Sequence, residues 1–183
     1  MPSHKNLALL GVTLVLASCG EQGTPVEPLA VAGRPSFATD AVKLTGSGHH
    51  SRTVGGVTEL TTFSFNAVEG PNGTTGHFQY DFRANGFIVS GPITCVTSNG
   101  NQAWVGGVVE SVITDNPAFE SLLGLEMWWR SIDNGEGAGA TPDSTTGLGF
   151  GFPGSVITKE SWCADQPVAL VLREVEAGNV QLH

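Results

Sequence analysis

The sequence predicts an all-β fold: a single antiparallel β-sandwich or β-barrel of about eight or nine strands, with at most one short helix. Three observations carry this expectation. The chain has 183 residues, a length at which one domain buries a continuous core. Hydrophobic residues make up 40% and charged residues only 14%, with 25 glycines, a mix that favours strands and turns over surface helices. From residue 41 onward, short alternating or β-branched segments are separated by Gly, Asn and Pro, as in an antiparallel sandwich or barrel.

The elements follow in order. "AVKLTGSGHH" reads as the first strand. "VTELTTFSFNAV" alternates so that Phe63, Phe65 and Ala67 share one face, which is expected to point inward, and "GPNG" supplies the turn after it. "TGHFQYDFRANG" repeats the device, with Phe78, Tyr80 and Phe82 opposite His77, Gln79, Asp81 and Arg83. "FIVSGPITCVTS" turns at "NGN" and returns as "QAWVGGVVESVIT", a hairpin signal. "DNPAFESLLG" is the one helical candidate, with Asn116 as cap, Pro117 at the first helical position and Glu120 in the opening turns. "LEMWWRSI" is apolar on both faces, "TTGLGFGFPG" is a glycine-rich strand, "PVALVLREV" reads as buried in its middle, and "GNVQLH" closes the chain as a strand.

The amino end carries an export signal. "MPSHKNLALLGVTLVLASCG" has His4 and Lys5 at its start, an apolar stretch from Leu7 to Leu16, and small residues leading to Cys19. The stretch falls short of the roughly 20 apolar residues that a membrane span requires. Leu16-Ala17-Ser18-Cys19 is similar to the bacterial lipobox, which implies lipidation of Cys19 and cleavage before it. Gly20 stands where an aspartate would imply inner-membrane retention, so the expected address is the outer membrane, facing the periplasm or the cell surface. The three proline residues in "GEQGTPVEPLAVAGRPSFATD" and its lack of a sustained period describe a tether. The expected organisation is a signal peptide over 1–18, a lipid-anchored flexible tether over 19–40, and the β-domain over 41–183.

The formal charge is -9 and the eight Lys and Arg residues are scattered singly, so nucleic acid would meet net repulsion with no basic cluster to offset it. The expected partners are the membrane, through the anchor at Cys19, and an envelope protein or glycan. With Cys19 assigned to lipid, Cys95 and Cys163 remain, and an exported chain is expected to join them.

Several of these pieces, in order, resemble a family of exported bacterial β-domains that often accompany cell-surface anchoring regions and occur in many lipoproteins. The shared features are "GSGHH", "TFSFNA", the pair "GHFQYDFRANGFIVSG" and "ITCVTSNGNQAWVGGVV", and "DNGEG" with a later aspartate, over about residues 44–143, with a weaker likeness in "GNVQLH". The resemblance implies a secreted β-fold and an accessory role, and it carries no catalytic residue to this chain.

Candidate chemistry is sparse. His49 and His50 are adjacent, so a strand points them to opposite faces; a zinc site would need one of them with His77 and an acid such as Asp81. There is no G-x-S-x-G elbow, phosphate loop or dinucleotide fingerprint, so no catalytic residue is assigned and a non-enzymatic role is expected. Trp128 and Trp129 are neighbours on a strand, so one of them faces outward; the favoured reading is that a second layer covers the sheet's outer face there, and the other is that it stacks on a sugar ring or a partner. "DNGEGAGATPD", residues 133 to 143, holds Asp133, Asn134, Glu136 and Asp143; Asp133, Glu136 and Asp143 are calcium candidates, although the spacing departs from the EF-hand and Asn134-Gly135 suits a turn. No cofactor is expected, and calcium at the acid loop ranks ahead of zinc as the alternative. The leading expectation is a non-catalytic binding or scaffolding domain on a lipid anchor, ahead of a barrel-type carrier of small apolar ligands and an envelope glycan hydrolase.

Overall fold

A computed structural model describes residues 41–183 apart from Ala138 and Ala169. The signal peptide, Cys19 and the tether of the sequence reading lie outside the described residues. Eleven strands form one antiparallel sheet that curls into a half-barrel, as the all-β expectation requires. They are β1 (Lys43–Val54), β2 (Val57–Gly70), β3 (Gly73–Phe82), β4 (Phe87–Asn99), β5 (Gln102–Val108), β6 (Ser111–Thr114), β7 (Glu126–Ile132), β8 (Ser144–Thr146), β9 (Gly149–Phe150), β10 (Leu172–Glu174) and β11 (Ala177–Leu182). Their order is β10-β8-β7-β5-β4-β3-β2-β1-β11, with β6 also on β4 and β9 also on β7.

The count exceeds nine because two expected strands are each broken in two. "QAWVGGVVESVIT" divides into β5 and β6 around Val109 and Glu110, and "TTGLGFGFPG" divides into β8 and β9. The hairpins follow the turn chemistry. Gly55 and Gly56, at φ 57° and 82°, make the two-residue turn between β1 and β2, a conformation that residues with a side chain adopt at a cost.

The alternation of the long strands sets the core. Phe63, Phe65 and Ala67 of β2 and Phe78 and Tyr80 of β3 are buried on the concave face, with Leu44, Val89 and Trp129. Trp129 lies 5.2 Å from the Phe65 ring and 5.6 Å from Tyr80, so the inward aromatics pack on one another. Each such side chain contributes roughly 1.5–3 kcal/mol by leaving water.

The convex face carries a second, smaller core, the outer layer expected over the adjacent tryptophans, built on a helix the sequence did not announce. Helix α1 (Lys159–Asp165) crosses it, capped by a reciprocal bond pair between Thr158 and Ser161. It sits close over Gly106, where an added Cβ would lie 2.7 Å from the Cβ of Lys159. Trp162 packs with Trp104 and Trp128 and donates from its indole nitrogen to the Trp129 carbonyl at 2.9 Å. Cys163 of α1 is bonded to Cys95 of β4, the pairing expected from the cysteine count.

Two segments differ from their sequence reading. Residues 117–122 form a 3₁₀ turn, with the Asn116 side chain accepting from the Ala118 N–H at 3.1 Å as expected of a cap. "PVALVLREV" is not a buried strand: Val168 and Val171 are exposed and, among the described residues, only Leu172–Glu174 pairs, with β8. The reason is local, because the Trp104 indole donates to the Pro167 carbonyl at 2.8 Å and holds the start of the segment on the outer layer.

Candidate functional site

The acid loop joins β7 to β8, and its carboxylates reach the last strand. Asp143 accepts from the Val180 N–H at 2.7 Å through one oxygen and from the Asn134 N–H at 2.8 Å through the other. Asp133 accepts from the Leu182 N–H and from the Gly135 N–H, each at 2.8 Å. Val180 and Leu182 lie on β11, whose other edge pairs with β1, so the two aspartates cap the free edge of a terminal strand. The exposed Glu136 accepts from Asn179 at 2.7 Å and from Gln181 at 2.5 Å; the Gln181 amide first, then that of Asn179, holds it below the usual carboxylate range.

The three calcium candidates therefore face N–H donors, and among the described residues no group of three or more His, Cys, Asp or Glu side chains is placed to hold a metal ion. A cation would have to displace two backbone donors from each aspartate. Neither added calcium nor a chelator is expected to move the melting temperature. A rise of several degrees with calcium would show that the carboxylates exchange these donors for the ion.

The stacking candidates are both covered. Trp129 is 0% exposed in the concave core and Trp128 is 5% exposed under α1, its ring 6.3 Å from that of Trp162. Neither offers a face to a sugar or partner, because the helix supplies the second layer that one outward tryptophan requires. The zinc candidates are separated by strand register. His50 pairs with Thr61 and His77 with Asn66, five rows along β2 or about 17 Å at the rise of a strand.

What the fold does bring together lies at the other end of the half-barrel. A cleft of about 280 Å³ opens there, with His50, Arg52, Thr61, Asn85, Gly147 and Arg173 among its polar and backbone lining. Phe82, Phe87, Phe119, Leu148 and Phe150 form its apolar walls, and the Phe87 and Phe119 rings stack at 4.2 Å. The alternation of β1 turns Leu44 and His50 inward, and the pairing of Arg173 with the buried Thr145 brings β10 to the same interior. Gly147 leaves room for the guanidinium: a Cβ there would lie 2.3 Å from Arg173 Nη1.

The electrostatics of this cleft are unusual for a chain of charge -9. Its charged lining residues are Arg52 and Arg173, with no carboxylate among the side chains that line it. Arg52 pairs with Glu59, whereas Arg173 makes no ion pair among the described residues. Burial, and then the charge of Arg52, holds Arg173 below the usual arginine value. His50 is 2% exposed, stacks on Phe63 at 6.1 Å, and neither ring nitrogen has a hydrogen-bond partner. Burial first, then the Arg173 charge, lowers its pKa from 6.5 to about 4.

That shift makes a stability prediction. The folded ring stays neutral while the unfolded chain takes up a proton below about 6.5, so stability falls as pH drops from there to about 4. The loss attributable to His50 is about 3 kcal/mol. Urea unfolding of the parent and of His50→Gln across that window is expected to show a steeper loss of stability in the parent; equal slopes would refute it.

Sequence reasoning placed His50 only as half of an adjacent pair and did not single out Arg173. Their shared signal was weak: inward parity on β1 for His50, and a lone arginine inside an apolar run for Arg173. Comparison of the chain with protein-family models, with curated proteins and with solved structures finds no match.

Proposed function

We propose that this protein is a lipid-anchored, non-catalytic envelope domain that binds a small ligand, or the end of an envelope molecule, in the cleft beside His50. The observation that carries the reading is a nearly fully buried histidine with both ring nitrogens unpartnered, lining an opening walled by aromatic side chains. Buried polar groups without partners cost about 1–3 kcal/mol each, so their retention beside an opening favours a binding role. The anchor and the outer-membrane address rest on the lipobox-like end at Cys19, and the accessory role agrees with the resemblance over residues 44–143.

The competing readings have less support. The inward aromatics on which a carrier would depend pack against one another, leaving the cleft at the end as the place for a guest. A glycan hydrolase would use paired carboxylates, and those of the acid loop are taken up by β11. Hydrogen exchange of the full chain, with and without a small-molecule extract of its host's envelope, tests the binding reading. Protection is expected over residues 82–87 and 147–150. Protection confined to other segments, or none, would overturn it.

A further inference from the structure

We infer that the cleft ligand is an organic anion, a carboxylate on an apolar body, whose head group is held by Arg173 and His50 and whose body lies against Phe87 and Phe119. The inference rests on the binding reading above and names the chemical class that the cleft selects.

The argument begins with the balance of donors and acceptors. Arg173 presents only donors, and no carboxylate pairs with it among the described residues. Arg173 is half-buried with no carboxylate in ion-pair contact, so its donors stay open to a ligand carboxylate, which would meet them with charge-assisted bonds, bidentate where geometry allows. His50 adds a donor that is neutral, beside the charged Arg173. Its ring is kept uncharged beside Arg173, so one nitrogen carries a hydrogen that no protein group accepts. The charged groups that act on His50 are Arg173 of β10, Glu176 at the β10–β11 link, and Arg52 and His49 of β1. Glu176 is itself bonded to the Ser51 N–H and hydroxyl and faces His49 at 3.8 Å, so it is engaged elsewhere.

The walls decide the rest of the ligand. Phe87 and Phe119 stack at 4.2 Å and Phe82 stacks on Phe87 at 4.5 Å, a continuous aromatic surface beside the cationic end. A fully polar anion such as phosphate would leave that surface unused, whereas an alkyl or aryl chain covers it. A cation meets the charge of Arg173 with no acid in the lining, the charge of Arg52 being offset by Glu59.

The fold also sets aside space for the head group. Gly147 lies against the guanidinium, and any side chain there would push it off its present position. The glycine needs no unusual backbone angle, so its small size alone matters here.

Octanoate, octanol and octylamine share one apolar body and differ in the head, so titrating each into the isotope-labelled full chain separates the head from the tail. Octanoate is expected to shift amide resonances around residues 50, 87, 147 and 173 and to bind on the order of tenfold to a hundredfold more tightly than octanol, with octylamine weakest. Arg173→Met is expected to abolish that preference, Arg173→Lys to keep part of it, and Gly147→Ala to weaken octanoate while octanol is unchanged. The dispersion of each variant's spectrum shows that it is folded, and Gly147→Ala keeps the test open should Arg173→Met fail to fold. Octanol binding as tightly as octanoate, indifferent to Arg173→Met, overturns the inference and leaves the cleft as a binding site. No shift with any of the three overturns the inference, and the envelope-extract exchange experiment then decides the cleft reading separately.

Discussion

Replacing Asp143 with Ala is expected to destabilise the domain by about 3–6 kcal/mol, the sum expected of two hydrogen bonds to a charged group. The aspartate is 7% exposed and accepts from Val180 and Asn134 N–H groups, so its removal leaves a buried backbone donor on β11 without a partner. Asp143→Asn is expected to lose nearly as much, because the amide keeps one acceptor and turns a donor toward an N–H. The urea midpoint measures this directly. A second readout is specific to the location: freeing the outer edge of β11 exposes unpaired donors, and concentration-dependent association should appear by light scattering. A loss below about 1 kcal/mol would show that the loop does not hold the last strand.

The second large effect is expected from the double change Cys95→Ser, Cys163→Ser. The bond closes a sequence separation of 68 residues, and the chain-entropy model assigns about 4 kcal/mol to a loop of that length. The damage should be uneven. α1 is otherwise held by the Trp162 indole bond to Trp129, by the Thr97 hydroxyl bond to the Cys163 carbonyl and by the ion pair of Lys159 with Glu126, so the helix should loosen before the sheet. Tryptophan emission from Trp104, Trp128 and Trp162 would then shift to longer wavelength at denaturant concentrations where the strand signal in circular dichroism persists. A single coincident transition would place α1 within the same cooperative unit as the sheet.

The parts of the structure legible in the sequence are those with a repeating local signal. The alternation of Phe63, Phe65 and Ala67, and of Phe78 and Tyr80, predicts the buried face because a strand's side chains alternate regardless of what pairs with it. The turns at "GPNG" and "NGN" follow from glycine and asparagine placement, and the Cys95–Cys163 pair from counting thiols in an exported chain. Helix α1 was not legible: at seven residues it is too short for a periodic signal, and its capping box uses Ser161 in place of the usual acid or amide. That a second layer covers Trp128 is the favoured reading of the adjacent tryptophans, but that the layer is this helix was not legible.

Residue types and their parity along each strand were thus determined by the sequence alone, since both depend on covalent geometry over a few residues. Which side chains meet was decided only by the tertiary structure. "DNGEGAGATPD" carries acids that suggest a cation, but Asp133 and Asp143 serve donors 49 and 37 residues away on β11, a partnership that sheet order creates. His50 and Arg173 lie far apart in the chain and share one cleft because the half-barrel curls until β10 and β1 face the same interior. Their electrostatic character follows from that arrangement, because burial leaves the His50 ring neutral and the half-buried Arg173 has no ion pair among the described residues.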